Sequence, residues 1–158
     1  MIRVVLDTSV LVKSIFKPLR SLPPELYSRE LETHQKCVSL IKFIEENDAD
    51  VLVPKISVVE TAAVARRLAG RTLAARISAG IIRSYNIADE EEIFDAAWEV
   101  ALETGCSGFD SYFIALAKEK GAVLFTDDSG MNQHAKEFDV CSILIRSNDI
   151  KALHNKLK

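Results

Sequence analysis

The sequence is poor in the features that mark secreted and membrane proteins. It has only three cysteines, Cys37, Cys106 and Cys141, which are far apart and odd in number. This pattern argues against a disulfide framework and predicts buried free thiols. No apolar run approaches the roughly 20 residues that a membrane span needs, and no charged leader precedes the first apolar segment. We therefore expect a cytoplasmic protein with no membrane association.

Aromatic residues and excess positive charge are also scarce. Aromatics make up 7% of the chain against 48% hydrophobic residues, a ratio typical of the aliphatic interior of a layered α/β protein. The net charge of −3 excludes a generally basic surface for nucleic acid, although local basic patches remain compatible with it. We find no internal repeat, linker or low-complexity tract, so we expect one domain over residues 1–158.

Short apolar runs alternate with segments of helical periodicity. The runs at residues 2–6, 51–53, 122–125 and 140–145 suit buried strands, and residues 85–87 suit a minor one. Between them, the patterns predict helices with caps at Ser9 or Thr8, at Asp89 and at Asp149. This alternation predicts a three-layer α/β/α sandwich with a central parallel sheet of four to five strands.

Acidic residues fall at the junctions between these elements. Asp7 and the pair Asp127 and Asp128 follow strands, Glu60 lies near the start of a helix, and Asp110 opens another helix. The strand-to-helix junctions of a parallel sheet share one edge, so these carboxylates would repel each other unless a cation lay among them. Mg²⁺ or Mn²⁺ would suit such oxygen ligands and could activate a water against a phosphodiester.

Most of these acids also have a purely structural interpretation. Glu60 could form a capping box with Ser57, and Asp110 could be a charge that the helix dipole favours. One residue of the Asp127–Asp128 pair could be a turn residue ahead of Gly130. Asp7 is the hardest to explain this way, because its two neighbours already offer capping hydroxyls.

Four segments together resemble the PIN-domain nucleases, among them VapC-like toxins and their archaeal relatives. These segments are VVLDTSVLV, VPKISVVETA, GFDSYFIALAKEKGAVLFTDD and the closing CSILI strand. The resemblance implies a PIN-like fold over nearly the whole chain. It also implies a metal site made by Asp7, Glu60, Asp110 and Asp128, with Asp127 as a second candidate for the last position. Ser9 and Thr126 would be the supporting hydroxyls.

The resemblance implies an endoribonuclease dependent on Mg²⁺ or Mn²⁺ that acts on RNA. It further implies a homodimer and, for a toxin, a small antitoxin partner. We expect Lys13, Arg66 and Arg67 to contact RNA phosphates. The segment between Phe16 and His34 is longer than a compact VapC-like toxin would have.

Two other functions stay open at this stage. A non-catalytic PIN-like RNA-binding or regulatory module would be favoured if site acids were missing, and all four are present. A phosphohydrolase of the haloacid dehalogenase type needs a second Asp two residues after the first, where this chain has Ser9.

Overall fold

The structure, a computed structural model, describes residues 1–157 of the chain and contains one parallel sheet. Its strands, numbered along the chain, are β1 Arg3–Leu6, β2 Asp50–Pro54, β3 Asn86–Ala88, β4 Val123–Thr126 and β5 Ser142–Leu144. They lie in the order β3-β2-β1-β4-β5, and every neighbouring pair is parallel. The predicted fold class is confirmed, with the minor strand included in the sheet.

Helices connect the strands. In chain order they are α1 Thr8–Ile15, α2 Pro24–Glu46, α3 Lys55–Ala69, α4 Arg71–Ser84, α5 Glu90–Thr104, α6 Gly108–Lys120, α7 Ser129–Glu137 and α8 Ile150–Asn155. A single 3₁₀ turn, Ile145–Ser147, follows β5 directly.

The strands are buried on both faces, which is why their sequences are almost continuously apolar. Val5 of β1 packs into a core that also contains residues of α5, α6 and α7. Val4 and Leu6 point to the opposite face and pack with residues of α1, α2 and α4. This alternation places one helical layer on each side of the sheet and completes the three-layer sandwich.

The central position of β1 places the residue that follows it in the middle of the sheet edge. Leu6 pairs with Phe125 of β4, and the backbone N–H of Asp7 donates to the Phe125 carbonyl over 3.0 Å. Thr126, the last residue of β4, therefore lies beside Asp7. All five strands are parallel, so the starts of α1, α3 and α7 meet at this same edge.

One of the predicted helix caps is wrong, one is at the predicted position but makes no capping hydrogen bond, and one forms as expected. Asp7 rather than Thr8 or Ser9 is the N-cap residue of α1, so both hydroxyl residues lie inside the helix. Asp89 precedes α5 but makes no side-chain cap, because its carboxylate binds the Lys55 ammonium at 2.8 Å. Asp149 does cap α8, accepting from the backbone N–H of Ala152 over 2.6 Å.

The long segment that follows α1 becomes a short loop and the first part of α2. The helix begins at Pro24, where the missing N–H costs nothing because the first turn has no partner for it. Glu30, in the second turn, reaches the Lys13 ammonium of α1 at 2.8 Å. No helix of residues 1–157 has both the length and the hydropathy to cross a membrane.

A helix start with a side-chain cap and one without can be compared by mutation. The hydroxyl of Ser107 accepts from the backbone N–H of Asp110 over 3.2 Å and caps α6. Ser107→Ala should therefore lower the free energy of unfolding by about 1 kcal/mol. Asp89→Ala removes only an exposed ion pair and should cost less than about 0.5 kcal/mol. Urea denaturation of both variants checks this, and a larger loss for Asp89→Ala would contradict our account of the caps.

Candidate active site

Asp7 is the most buried of the four acids Asp7, Glu60, Asp110 and Asp128, at 5% exposed. Its Oδ2 accepts two hydrogen bonds, one from Ser9 Oγ over 2.5 Å and one from Thr126 Oγ1 over 2.7 Å. One hydroxyl comes from the first turn of α1 and the other from the neighbouring strand β4. Their positions follow from the register of β1 and β4, and together they fix the orientation of the carboxylate.

Glu60 lies opposite Asp7, on α3. Its Oε2 accepts from Thr8 Oγ1 over 2.5 Å, and Thr8 Oγ1 is also 2.9 Å from the hydroxyl of Ser57. The capping-box interpretation is wrong, because α3 begins at Lys55 and Glu60 lies in its second turn. The hydrogen bond to Thr8 instead ties the Glu60 carboxylate to the residue that follows Asp7.

Asp110 and Asp128 occupy the starts of two further helices. Asp110 is half-buried in the first turn of α6. Asp128 caps α7, with its Oδ1 accepting from the backbone N–H of Met131 over 2.9 Å, and its own N–H donates to Thr126 Oγ1 over 3.0 Å. A side chain at Gly130 would place its Cβ 3.1 Å from Asp128 Oδ1, so glycine leaves room for this carboxylate.

The site acids interact electrostatically with one another. Burial raises the pKa of Asp7, and the charge of Asp128 adds to that effect, although the two hydroxyl hydrogen bonds oppose it. Burial also raises the pKa of Glu60, with further contributions from the charges of Asp7 and Asp110. The pKa of Asp110 is raised by burial and then by Asp128 and Asp7. The edge of the sheet thus concentrates negative charge that a cation would relieve.

The donor set fits a hard divalent cation that keeps water in its coordination shell. Within residues 1–157, no three His, Cys, Asp or Glu side chains are close enough to form a ready-made metal cage. Mg²⁺ does not require one, because it is usually bound through one or two carboxylates, waters and substrate phosphates. The carboxylates of Asp7, Glu60, Asp110 and Asp128 are oxygen donors of the kind that such an ion takes.

Asp127 points away from these acids into a separate network of charges. Its side chain is fully buried, and it accepts from Arg146 Nε over 3.0 Å, from Arg146 Nη2 over 2.7 Å and from Lys13 Nζ over 2.5 Å. Burial alone would raise the pKa of Asp127, but these partners hold it below its ordinary value. Its backbone N–H also donates to Ser9 Oγ over 3.1 Å. The structure therefore gives Asp127 cationic partners, which leaves Asp128 as the candidate ligand of the pair.

The three basic residues predicted to contact RNA are not equivalent. The Lys13 ammonium binds both Asp127 and Glu30, so its charge is largely neutralised by protein. Arg66 and Arg67 are exposed in the last turn of α3. Arg67 is seven residues from Glu60 and so lies on the same face of the helix, about 10 Å along its axis. Arg66 projects from a different side.

Sequence reasoning missed the partners that hold the predicted acids in place. Thr8 and Ser57 were interpreted only as capping residues, although their position beside Asp7 and Glu60 could have suggested the contact. Arg146 gave no signal, because its role depends on the 3₁₀ turn after β5, 19 residues beyond Asp127. Contacts of that kind arise only from the folded chain.

Comparisons with known proteins place these features in context. The sequence profile of the family described as "PIN domain" matches residues 4–137. The solved structure of PAE2754 from Pyrobaculum aerophilum is 19% identical, with a TM-score of 0.60 over 99% of this chain and 95% of that one. FitAB bound to an IR36 DNA fragment gives 21% identity and a TM-score of 0.63, covering 92% and 97% of the two chains. FitAcB from Neisseria gonorrhoeae is 22% identical, with a TM-score of 0.53 over 90% of this chain and 97% of that one. No curated protein matches significantly.

The raised pKa of Asp7 predicts a stability change on neutralising it. Its folded-state pKa lies above the ordinary value of 3.8, so ionisation costs stability as the pH rises through the folded-state pKa. Asp7→Asn should therefore be more stable than the unmodified protein at pH 7.5 without divalent ions, and the difference should shrink toward pH 4. Denaturation with EDTA at several pH values tests this, with exposed Asp95→Asn as the control. A less stable Asp7→Asn at pH 7.5 would contradict the prediction.

The buried charge network predicts the opposite result for Asp127. Asp127→Asn leaves Lys13 and Arg146 facing a neutral side chain and should lower the free energy of unfolding by roughly 2–4 kcal/mol, a value reduced because Arg146 is partly exposed. Asp128→Asn keeps a capping oxygen and should cost less than about 0.5 kcal/mol. Parallel urea curves measure both, and equal losses would show that Asp127 does not anchor this junction.

Proposed function

The chain belongs to the PIN domain family, and from that premise we propose that it is a Mg²⁺- or Mn²⁺-dependent endoribonuclease that hydrolyses RNA phosphodiester bonds. The observation that carries the proposal is the placement of the site carboxylates at one sheet edge, where burial is the largest cause of the raised pKa of Asp7, Glu60 and Asp110 and the charges of neighbouring site acids add to it. Carboxylates gathered at unfavourable electrostatic cost fit a site that binds a cation.

Each side chain of the site has a distinct task in this proposal. Asp7, held by Ser9 and Thr126, presents a carboxylate of fixed orientation at the centre of the edge. Glu60, held by Thr8, faces it from α3 and would orient the attacking water. Asp110 and Asp128 complete the set of oxygen donors. A bound divalent ion would supply a water of lowered pKa and offset charge on the phosphate.

The assignment of RNA as the substrate rests on the basic side chains near these acids. RNA carries phosphates that the acids alone would repel, so contacts from basic side chains are needed. Arg67, exposed on the same face of α3 as Glu60, suits this role best, and Arg66, on another side of the helix, suits it less well. Lys13 would act mainly through Asp127. The proposal includes one catalytic domain and a cytoplasmic location, where the three free cysteines would stay reduced.

A protein partner is the second part of the proposal. Four apolar side chains on α5 and at the start of α6 are between 53% and 66% exposed: Phe94, Trp98, Leu102 and Phe109. Three of them repeat every four residues and form a continuous stripe along α5. Such a stripe supports a homodimer, and a toxin held by a small antitoxin would be a narrower form of the same idea.

The alternative functions fit less well. A haloacid-dehalogenase-type phosphohydrolase would need a carboxylate at position 9, where Ser9 instead donates a hydrogen bond to Asp7. A non-catalytic RNA-binding module has no use for buried carboxylates of raised pKa. A metal-dependent nuclease would account both for Ser9 at this position and for the carboxylates of raised pKa.

Glu60→Gln provides the decisive test. The amide keeps the size of the side chain and can still accept from Thr8, so the fold should persist. Loss of the charge should reduce Mn²⁺-dependent cleavage of single-stranded RNA by on the order of 100-fold. Cleavage is followed on denaturing gels with Mn²⁺, with Mg²⁺ and with EDTA.

Glu119→Gln is the matched control, because Glu119 is exposed near the end of α6 and away from the site. It should cleave at the rate of the unmodified protein. Undiminished cleavage by Glu60→Gln, or equal cleavage in EDTA, would overturn the proposed function.

A further inference from the structure

A cavity of about 310 Å³ lies where α7, the edge strand β5 and the C-terminal segment meet, away from the site acids. Apart from two apolar residues of β5, its lining is polar or basic. The polar and basic members are Asn132, Lys136, Ser142, Ser147, Asn148 and Lys156.

Two of these side chains are buried without hydrogen-bond partners. Asn132 is 9% exposed and Ser142 is 8% exposed. Neither Asn132 Oδ1 nor Ser142 Oγ has a partner in the part of the chain that the structure describes. An unpaired buried polar group costs about 1–3 kcal/mol. Both residues line the same cavity, so a group bound there could supply the missing partners after a small side-chain rotation.

The charge of the cavity indicates what that partner is. Two lysines, Lys136 and Lys156, line it, and no acidic residue among residues 1–157 does. A second cationic cavity, lined by Arg29, Lys36 and Arg146, differs because Glu30 and Glu32 also line it. The cavity beside β5 is therefore the one of the two that presents uncompensated positive charge to an anion.

We propose that this cavity binds a phosphate group. The Ser142 hydroxyl can donate to a phosphate oxygen. The Asn132 amide can do the same after a rotation that exchanges its oxygen and nitrogen. The two ammoniums neutralise the charge as flexible point donors. Ser147 and Asn148 add further polar groups at the same cavity.

The position of the cavity connects it to the site acids through α7. Asp128 caps this helix, and Asn132 and Lys136 follow one and two turns later, about 6 and 12 Å along the axis. We assign the phosphate to an RNA strand that extends from the catalytic edge, an assignment that rests on the proposed function. The binding of phosphate itself does not depend on it.

Titration of ¹⁵N-labelled full-length protein tests the cavity directly. Inorganic phosphate and a 12-nucleotide single-stranded RNA are added separately, with EDTA to prevent cleavage and at constant ionic strength. Both should shift the side-chain amide signals of Asn132 and the backbone signal of Ser142. A shift with inorganic phosphate alone would support the phosphate site and identify a free anion as its ligand. No shift with either probe would overturn the proposal.

RNA binding by lysine variants gives an independent measurement. Lys136→Gln with Lys156→Gln should weaken RNA binding by on the order of tenfold at low salt, and the slope of log affinity against log salt should fall by about 0.7 for the lost phosphate contact. The matched control, Lys42→Gln with Lys120→Gln, removes equal charge from lysines that do not line the cavity. Equal losses in the two double variants would overturn the assignment.

Ser142→Ala separates recognition from charge, because it removes only the unpaired hydroxyl. It should weaken phosphate binding several-fold while leaving or raising the free energy of unfolding, since an unsatisfied buried group is lost. Unchanged phosphate affinity would remove Ser142 from the site and count against the proposal. A protein that binds RNA here but never cleaves it would leave this inference standing and remove only the nuclease assignment.

Discussion

The site depends on the burial of the Asp7 carboxylate at the end of the central strand. A carboxylate removed from water is unfavourable unless other groups compensate it. Ser9 and Thr126 supply part of that compensation with two short hydrogen bonds to one oxygen. The raised pKa indicates that these hydroxyls do not compensate fully. The remaining cost is what a bound cation would recover, so under the proposed function metal binding would stabilise the fold through this residue.

Asp127 and Asp128 are adjacent in one turn but have different partners. Asp127 joins α1, the end of β4 and the 3₁₀ turn after β5 through Lys13 and Arg146. Asp128 caps α7 and contributes to the electrostatics of Asp7 and Asp110. The backbone N–H of Asp127 also donates to Ser9, which in turn donates to Asp7. The buried ion pairs therefore support the position of Asp7 through a continuous chain of contacts.

If this acidic protein acts on RNA as proposed, its positive charge must be concentrated locally. The net charge of −3 gives no general attraction to a polyanion. Exposed Arg67, two turns from Glu60 on the same face of α3, and the lysine-lined cavity beside β5 are separate local sources of positive charge. In this arrangement a substrate strand would be held by a few phosphate contacts around the acidic edge, so affinity should depend strongly on salt.

The sequence alone determined the fold class and the acids at the sheet edge. Alternating apolar runs and helical periods require buried parallel strands with helical crossovers, and such a sheet brings strand-to-helix junctions to one edge. Local patterns were less reliable where a side chain had a better partner elsewhere. By sequence Asp89 is a favourable capping residue, yet its carboxylate binds the Lys55 ammonium instead of a backbone N–H. Glu60 fits a capping box with Ser57 only if α3 begins just after Ser57, whereas the helix begins at Lys55.

Tertiary structure alone decided which groups hold those acids. The contact of Thr8 with Glu60 spans 52 residues, and that of Thr126 with Asp7 spans 119. Which of Asp127 and Asp128 forms the buried ion pairs depends on where the fold places Arg146 and Lys13. The cavity beside β5 likewise draws on α7, the edge strand and the C-terminal segment. Sequence periodicity reports which face of an element is buried, but it carries no information about which distant polar group will lie opposite a given side chain.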